Sequence, residues 1–84
     1  MSGMWGADGR ALRALASALR GGADALRTHR AQVTSVVDAA TRWEGPDAAE
    51  FRDDWASRLG PSLATTATLL DAAADQLAAD ADQQ

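Results

Sequence analysis

The chain has 84 residues, a net charge of −4 and no Cys, which bounds it to one small domain without disulfides or thiolate metal sites. Hydrophobic residues make up 46%, but 21 of them are Ala, against nine Leu, three Val and one Phe. Ala forms helices readily and buries little area, so a second chain is expected to complete the core.

The acidic total, with no clustered basic stripe, argues against nucleic acid as a partner. No apolar run approaches the ~18 residues of a transmembrane helix, so no stable membrane insertion is expected. Met1 to Arg10 lacks the apolar stretch of a signal peptide. Lys, Ile, Asn and Tyr, whose codons are AT-rich, are all absent. The simplest source of that bias is a high-GC bacterial genome. Charge is uneven along the chain. Residues 1–42 carry six Arg against Asp8, Asp24 and Asp38, a balance of +3, and residues 43–84 carry Arg52 and Arg58 against nine acids, a balance of −7. Two such halves attract each other when folded antiparallel.

Met1 to Ala7 reads as an irregular lead-in, with Trp5 partly buried and Asp8 as the N-cap of a helix. From Gly9 to about Arg42 the pattern is helical. Positions 12, 15, 19, 22, 26, 29, 33, 36, 40 and 43 alternate steps of three and four, and hold Leu12, Leu15, Leu19, Gly22, Leu26, His29, Val33, Val36, Ala40 and Trp43. That is a heptad seam, the signature of left-handed helix packing. Gly21-Gly22 weakens the helix or lets another helix approach closely at Gly22; the place of Gly22 on the seam favours close approach. His29 is the single His and makes no metal site alone. It reads as a seam-edge residue with its ring tip in water, a pH-sensing interface being the alternative.

Trp43-Glu44-Gly45-Pro46 stands at the midpoint and reads as helix stop, tight turn and helix start. Gly45 tolerates the left-handed conformation that closes a helix, and Pro46 is pre-set for the first turn of the next. The second helix is expected from Pro46 to about Ala79. Its stripe is Ala48, Phe51, Trp55, Leu59, Leu63, Thr66, Leu70, Ala73 and Leu77. Phe51 and Trp55, four apart, share a face and are placed to meet Trp43 in an aromatic cluster. Pro61 is expected to kink this helix without ending it, leaving the stripe in phase. Residues 80–84 are expected to fray. The fold class is all-α, an antiparallel helical hairpin (helices about 9–42 and 46–79, turn 43–46) that dimerises into a four-helix bundle.

No Gly-rich phosphate loop, HExxH or nucleophile paired with a second His is present, and the carboxylates read as solvated helix faces. No enzyme activity and no cofactor are expected. The Trp43-Xaa-Gly45 turn between two matched helices resembles the WXG-hundred family, the early-secreted-antigen-like substrates of type VII (ESX-like) secretion. The string from Trp43 to Trp55, Trp-Glu-Gly-Pro-Asp-Ala-Ala-Glu-Phe-Arg-Asp-Asp-Trp, is similar to its high-GC Gram-positive branch.

The resemblance implies a hairpin that pairs with itself or a related hairpin. It also implies export, without a signal peptide, by a secretion ATPase, sometimes beside a larger effector. Trp43 and Gly45 would carry the secretion motif. The interface would use Leu12, Leu15, Leu19, Gly22, Leu26, Val33, Val36, Phe51, Trp55, Leu59, Leu63, Leu70 and Leu77. Many members carry Tyr-Xaa-Xaa-Xaa-Asp/Glu after the second helix, and this chain has no Tyr. The signal therefore rests with a partner, or the chain stays in the cytoplasm as a helical-bundle adaptor or effector chaperone.

Overall fold

The structure, a computed structural model, describes residues 2–83, with side chains from Asp8 onward. Three α-helical segments follow in order: α1 (Ser2–Ala39), α2 (Pro46–Asp54) and α3 (Gly60–Asp82). A single π-helical turn, Trp55–Leu59, joins α2 to α3. Helix α1 packs along α3 in an antiparallel hairpin with extents of 63 × 17 × 13 Å.

Helix α1 starts at Ser2, so the expected lead-in is helical and Asp8 lies inside the helix, not at its cap. Propensity does not explain this extension, since Gly3 and Gly6 are poor helix formers. The Trp5 side chain lies outside the described residues. The C-terminal end comes early too, at Ala39. Residues 40–45 form the turn, where Trp43 N–H donates to Ala40 O at 3.2 Å and Thr41 N–H to Ala39 O at 2.8 Å. Gly45 has φ +105°, which L side chains rarely adopt, but it serves the start of α2 and not the close of α1. Its carbonyl accepts the Ala49 N–H at 3.1 Å, and Pro46 sits in the first turn as expected. At the far end, α3 runs on to Asp82, beyond the expected fraying at 80. Arg13 pairs with Asp82 there at 3.2 Å.

The heptad repeat of α1 holds three adjacent columns. Column a is Gly9, Ala16, Ala23, Arg30 and Val37. Column d is Leu12, Leu19, Leu26, Val33 and Ala40. Column g is Leu15, Gly22, His29, Val36 and Trp43. The a column is the one turned most fully inward, with Gly9, Ala16 and Ala23 buried. Opposite it on α3 stand Gly60, Ala67, Ala74 and Ala81, also buried and also seven apart. Leu12, Leu19 and Leu26, with Leu63, Leu70 and Leu77, are half-buried flanks.

The seam inside the hairpin is therefore a/d, whereas the seam read from the sequence is d/g. The period is the same and the d column is common to both. The contact face is turned because small side chains let two helix backbones approach closely, and Gly9, Ala16 and Ala23 occupy the first three positions of column a. Leu15, Val33 and Val36, placed on the seam from the sequence, are exposed. Gly22 is half-buried, and a Cβ there would lie 3.7 Å from Leu70 Cδ1, an ordinary contact. The packing does not require Gly at this position.

Pro61 does not simply kink the helix. The Gly60 N–H donates to Trp55 O, five residues back, and the turn widens by one residue. Pro61 has no N–H. The Ala56 carbonyl thus lacks both of the backbone donors an α- or π-turn would give it. The inward stripe skips from Trp55 to Gly60, a step of five, and then runs through Ala67, Ala74 and Ala81. It does not continue in phase: Leu59, Thr66 and Ala73 are exposed.

Candidate functional site

The hairpin tip is held by one side chain, Arg52. Its Nη1 donates to Trp43 O at 2.9 Å and its Nη2 to Ala40 O, so it closes the carbonyls at the end of α1 from across the turn. Its guanidinium also lies over the Trp43 ring, 5.5 Å from the centroid. On α2, Phe51 meets Trp43 with ring centroids 5.6 Å apart and planes tilted by 50°. Trp43 is 40% exposed, so the indole is anchored on one face and open on the other. In the sequence Arg52 stands within an acid-rich run, which masks its role. Its one legible signal was a basic residue on the first turns after Gly45-Pro46, where acids are the favoured charge.

The expected cluster of three aromatics does not form. Trp55 turns to α1, and its Nε1–H donates to Thr34 Oγ1 at 2.9 Å. A partly buried indole N–H takes the available hydroxyl in preference to a purely apolar contact. The Trp55 ring also stands beside Gly60, where any Cβ would fall 2.8 Å from Trp55 O and 3.8 Å from Trp55 Cε2. The tip is thus a Trp43–Phe51–Arg52 group, with a Trp55–Thr34–Gly60 group one turn further along.

The two long edges of the hairpin differ. On one edge Arg13, Arg20 and Arg27, seven apart, meet Asp82 at 3.2 Å, Asp75 at 2.8 Å and Asp71 at 2.6 Å. This ladder is the charge asymmetry of the two halves made concrete. The side chains are largely solvated, so each pair contributes a few tenths of a kcal/mol, by the usual scale of ~0.2–1. Column g of α1 and Leu59 of the π-helical turn belong to the other edge. There Leu15 is 48% exposed and Val36 68%, with Leu69 on the adjoining surface of α3 at 64%. His29 lies on this edge, exposed, and shares a 3.2 Å hydrogen bond with Gln32.

Every fully buried hydrophobic residue of the described chain is an Ala. Leu12, Leu19, Leu26, Leu63, Leu70 and Leu77 are half-covered, and Leu15, Val33, Val36 and Leu59 are open. The accessible surface is 5825 Å² for 8.7 kDa. A compact monomer of that mass exposes ~4,700 Å², so the excess is roughly 1,100 Å². Part of that follows from the elongated shape, and the apolar edge is where large side chains contribute to it.

Among the described residues, no three His, Cys, Asp or Glu side chains gather at metal-binding spacing, and no helix is long and apolar enough to cross a membrane. Comparison of the chain with protein-family models, with curated proteins and with solved structures finds no match.

Proposed function

We propose that the protein is a protein–protein interaction module that pairs its apolar edge with a second hairpin, itself or a related chain, to make a four-helix bundle. The observation that carries this reading is the uncovered edge of Leu15, Val36, Leu59 and neighbouring Leu69, set opposite the Arg–Asp edge. A standard interface removes about 800 Å² from each partner, which this hairpin can supply and a compact monomer of its mass has less reason to. Within that frame the Trp43-Xaa-Gly45 turn supports a role in type VII secretion, as an exported or co-exported partner of a larger effector. The half-open Trp43 ring, held by Phe51 and Arg52, is suited to be read by the export machinery.

The absence of Tyr favours a second reading, a bundle adaptor or effector chaperone that is not itself exported. The experiment has two parts. Sedimentation should give a dimer, or a complex with a partner drawn from the native host, and Val36→Glu should shift it toward monomer. A well-folded monomer at tens of micromolar, an order-of-magnitude choice, would sink the bundle. Immunoblots of medium and cells then separate export from a cytoplasmic role. Trp43→Ala should lower export more than it lowers helicity if the indole is read by the machinery.

A further inference from the structure

The Arg–Asp ladder ends at Arg27. Arg13, Arg20 and Arg27 each meet an Asp of α3. The next cation toward the tip is Arg30, half-buried, and it takes part in none of the hydrogen bonds or ion pairs of the described residues. Across from it stands Gly60, where a Cβ would already come within 3.4 Å of Arg30 Nε. No acid of α2 or α3 occupies this place. Instead a hollow of about 400 Å³ opens between α1 and the π-helical turn, lined by Arg30, Thr34, Val37, Asp38, Trp55 and Gly60 among others.

The chemistry of the lining selects a ligand. Arg30 offers a planar fork of N–H donors. Thr34 Oγ1 accepts the Trp55 indole N–H at 2.9 Å, which leaves its own hydroxyl proton to donate elsewhere. Arg52 also borders the hollow, but it is engaged with Trp43 O and Ala40 O. Val37 and the Trp55 ring form an apolar wall. Asp38 stands on the rim two helical turns from Arg30, roughly 12 Å along the axis, and opposes a second negative charge.

We propose that this hollow binds a monocarboxylate with an apolar body. The carboxylate pairs with the Arg30 guanidinium and accepts from the Thr34 hydroxyl, and the body lies against Trp55 and Val37. A carboxylate fits better than a phosphate because the Arg30 guanidinium balances its single charge, while the rim carboxylate Asp38 opposes the second charge that a phosphate brings. Two sources share this chemistry: a free small carboxylate, and the C-terminal carboxylate of a peptide ending in an apolar residue. The site lies on the charged edge, away from the apolar edge of the proposed bundle, so the two ideas stand or fall separately.

The test follows the Trp55 indole N–H resonance of the ¹⁵N-labelled full chain, assigned with Trp55→Phe. Benzoate is expected to move it saturably, with a Kd of about 1–10 mM, the scale for a ligand of this size. Benzamide, the neutral isostere, and inorganic phosphate are expected to bind at least about tenfold more weakly. Arg30→Gln should remove the saturable shift, and Arg30→Lys should restore part of it. An acetylated tetrapeptide ending in Leu, compared with its C-terminal amide, separates the sources. Tighter binding of the free-acid peptide than of benzoate identifies a chain terminus, and weaker binding identifies a small free acid. Equal shifts by benzoate and benzamide on the unmodified protein would overturn the proposal, however Arg30→Gln folds. So would a folded Arg30→Gln protein that binds benzoate as tightly as the parent.

Discussion

Gly60 and Gly21 are both interior helical glycines, yet replacing each by Ala should move stability in opposite directions. Helix propensity alone predicts a gain of about 0.8–1.0 kcal/mol for either change. At Gly21 nothing lies within 4 Å of the new Cβ, so the gain should be realised in full. At Gly60 the Cβ meets Trp55 O at 2.8 Å and Arg30 Nε at 3.4 Å. The Arg30 side chain can swing aside. The Trp55 carbonyl cannot, because it accepts the Gly60 N–H that closes the π-helical turn. Overpacking of this kind costs about 1–3 kcal/mol, which cancels or exceeds the propensity gain. For 84 residues, 1 kcal/mol corresponds to roughly 6 °C in Tm. Gly21→Ala should therefore melt about 5 °C above the parent, and Gly60→Ala between no change and about 12 °C below it. Far-UV circular dichroism melts at one protein concentration would measure both, since association makes Tm concentration-dependent. A Gly60→Ala protein that gains as much as Gly21→Ala would refute the wide turn and the inward stripe built on it.

Deleting Ser57 is expected to be tolerated, because it shortens the step from Trp55 to Gly60 from five to four and returns the segment to α geometry with both flanks in phase. Deleting Ala72 from the middle of α3 should lower helicity and Tm sharply by comparison. Arg52→Ala removes two bonds to carbonyls and a cation–π contact, and should cost about 1–3 kcal/mol in a urea melt. Raising salt from about 10 mM to 1 M should lower Tm by only a few degrees, because the three Arg–Asp rungs are solvated and each is worth ~0.2–1 kcal/mol at most. A loss of more than roughly 15 °C would show the ladder to be far stronger than its exposure allows.

The period of the helices was legible in the sequence, and the face was not. Leu12, Leu19 and Leu26 belong to two candidate seams, and pattern reading favours the one with large side chains at Leu15 and Val36. The helices instead meet through Gly9, Ala16 and Ala23. Ala is so abundant in this chain that its heptad spacing carries little weight beside Leu and Val. Pro61 correctly marked the irregular point of the second helix. The one-residue skip lay out of reach, because it depends on which carbonyl the Gly60 N–H takes. Arg13 to Asp82 followed from the charge asymmetry of the halves, since opposite ends of an antiparallel hairpin meet there. Trp55 was placed with Phe51 by spacing, and a hydrogen bond to Thr34 on the other helix decided otherwise.

The Ala and Gly residues at the centre of the seam have a consequence for the order of events in assembly. Ala has no rotamers to lose, so zipping α1 against α3 restricts the backbone but freezes almost no side chains. The Leu and Val side chains that carry rotational freedom stay partly free in the lone hairpin. In the proposed bundle their ordering, and most of the dehydration of large apolar groups, falls at the encounter with a second hairpin. Hairpin closure should then be weakly cooperative, while the sharp increase in rigidity in the proposed bundle should be bimolecular. Methyl order parameters of Leu15 and Val36 should rise with concentration along the association curve, while those of Ala16 and Ala23 stay high throughout.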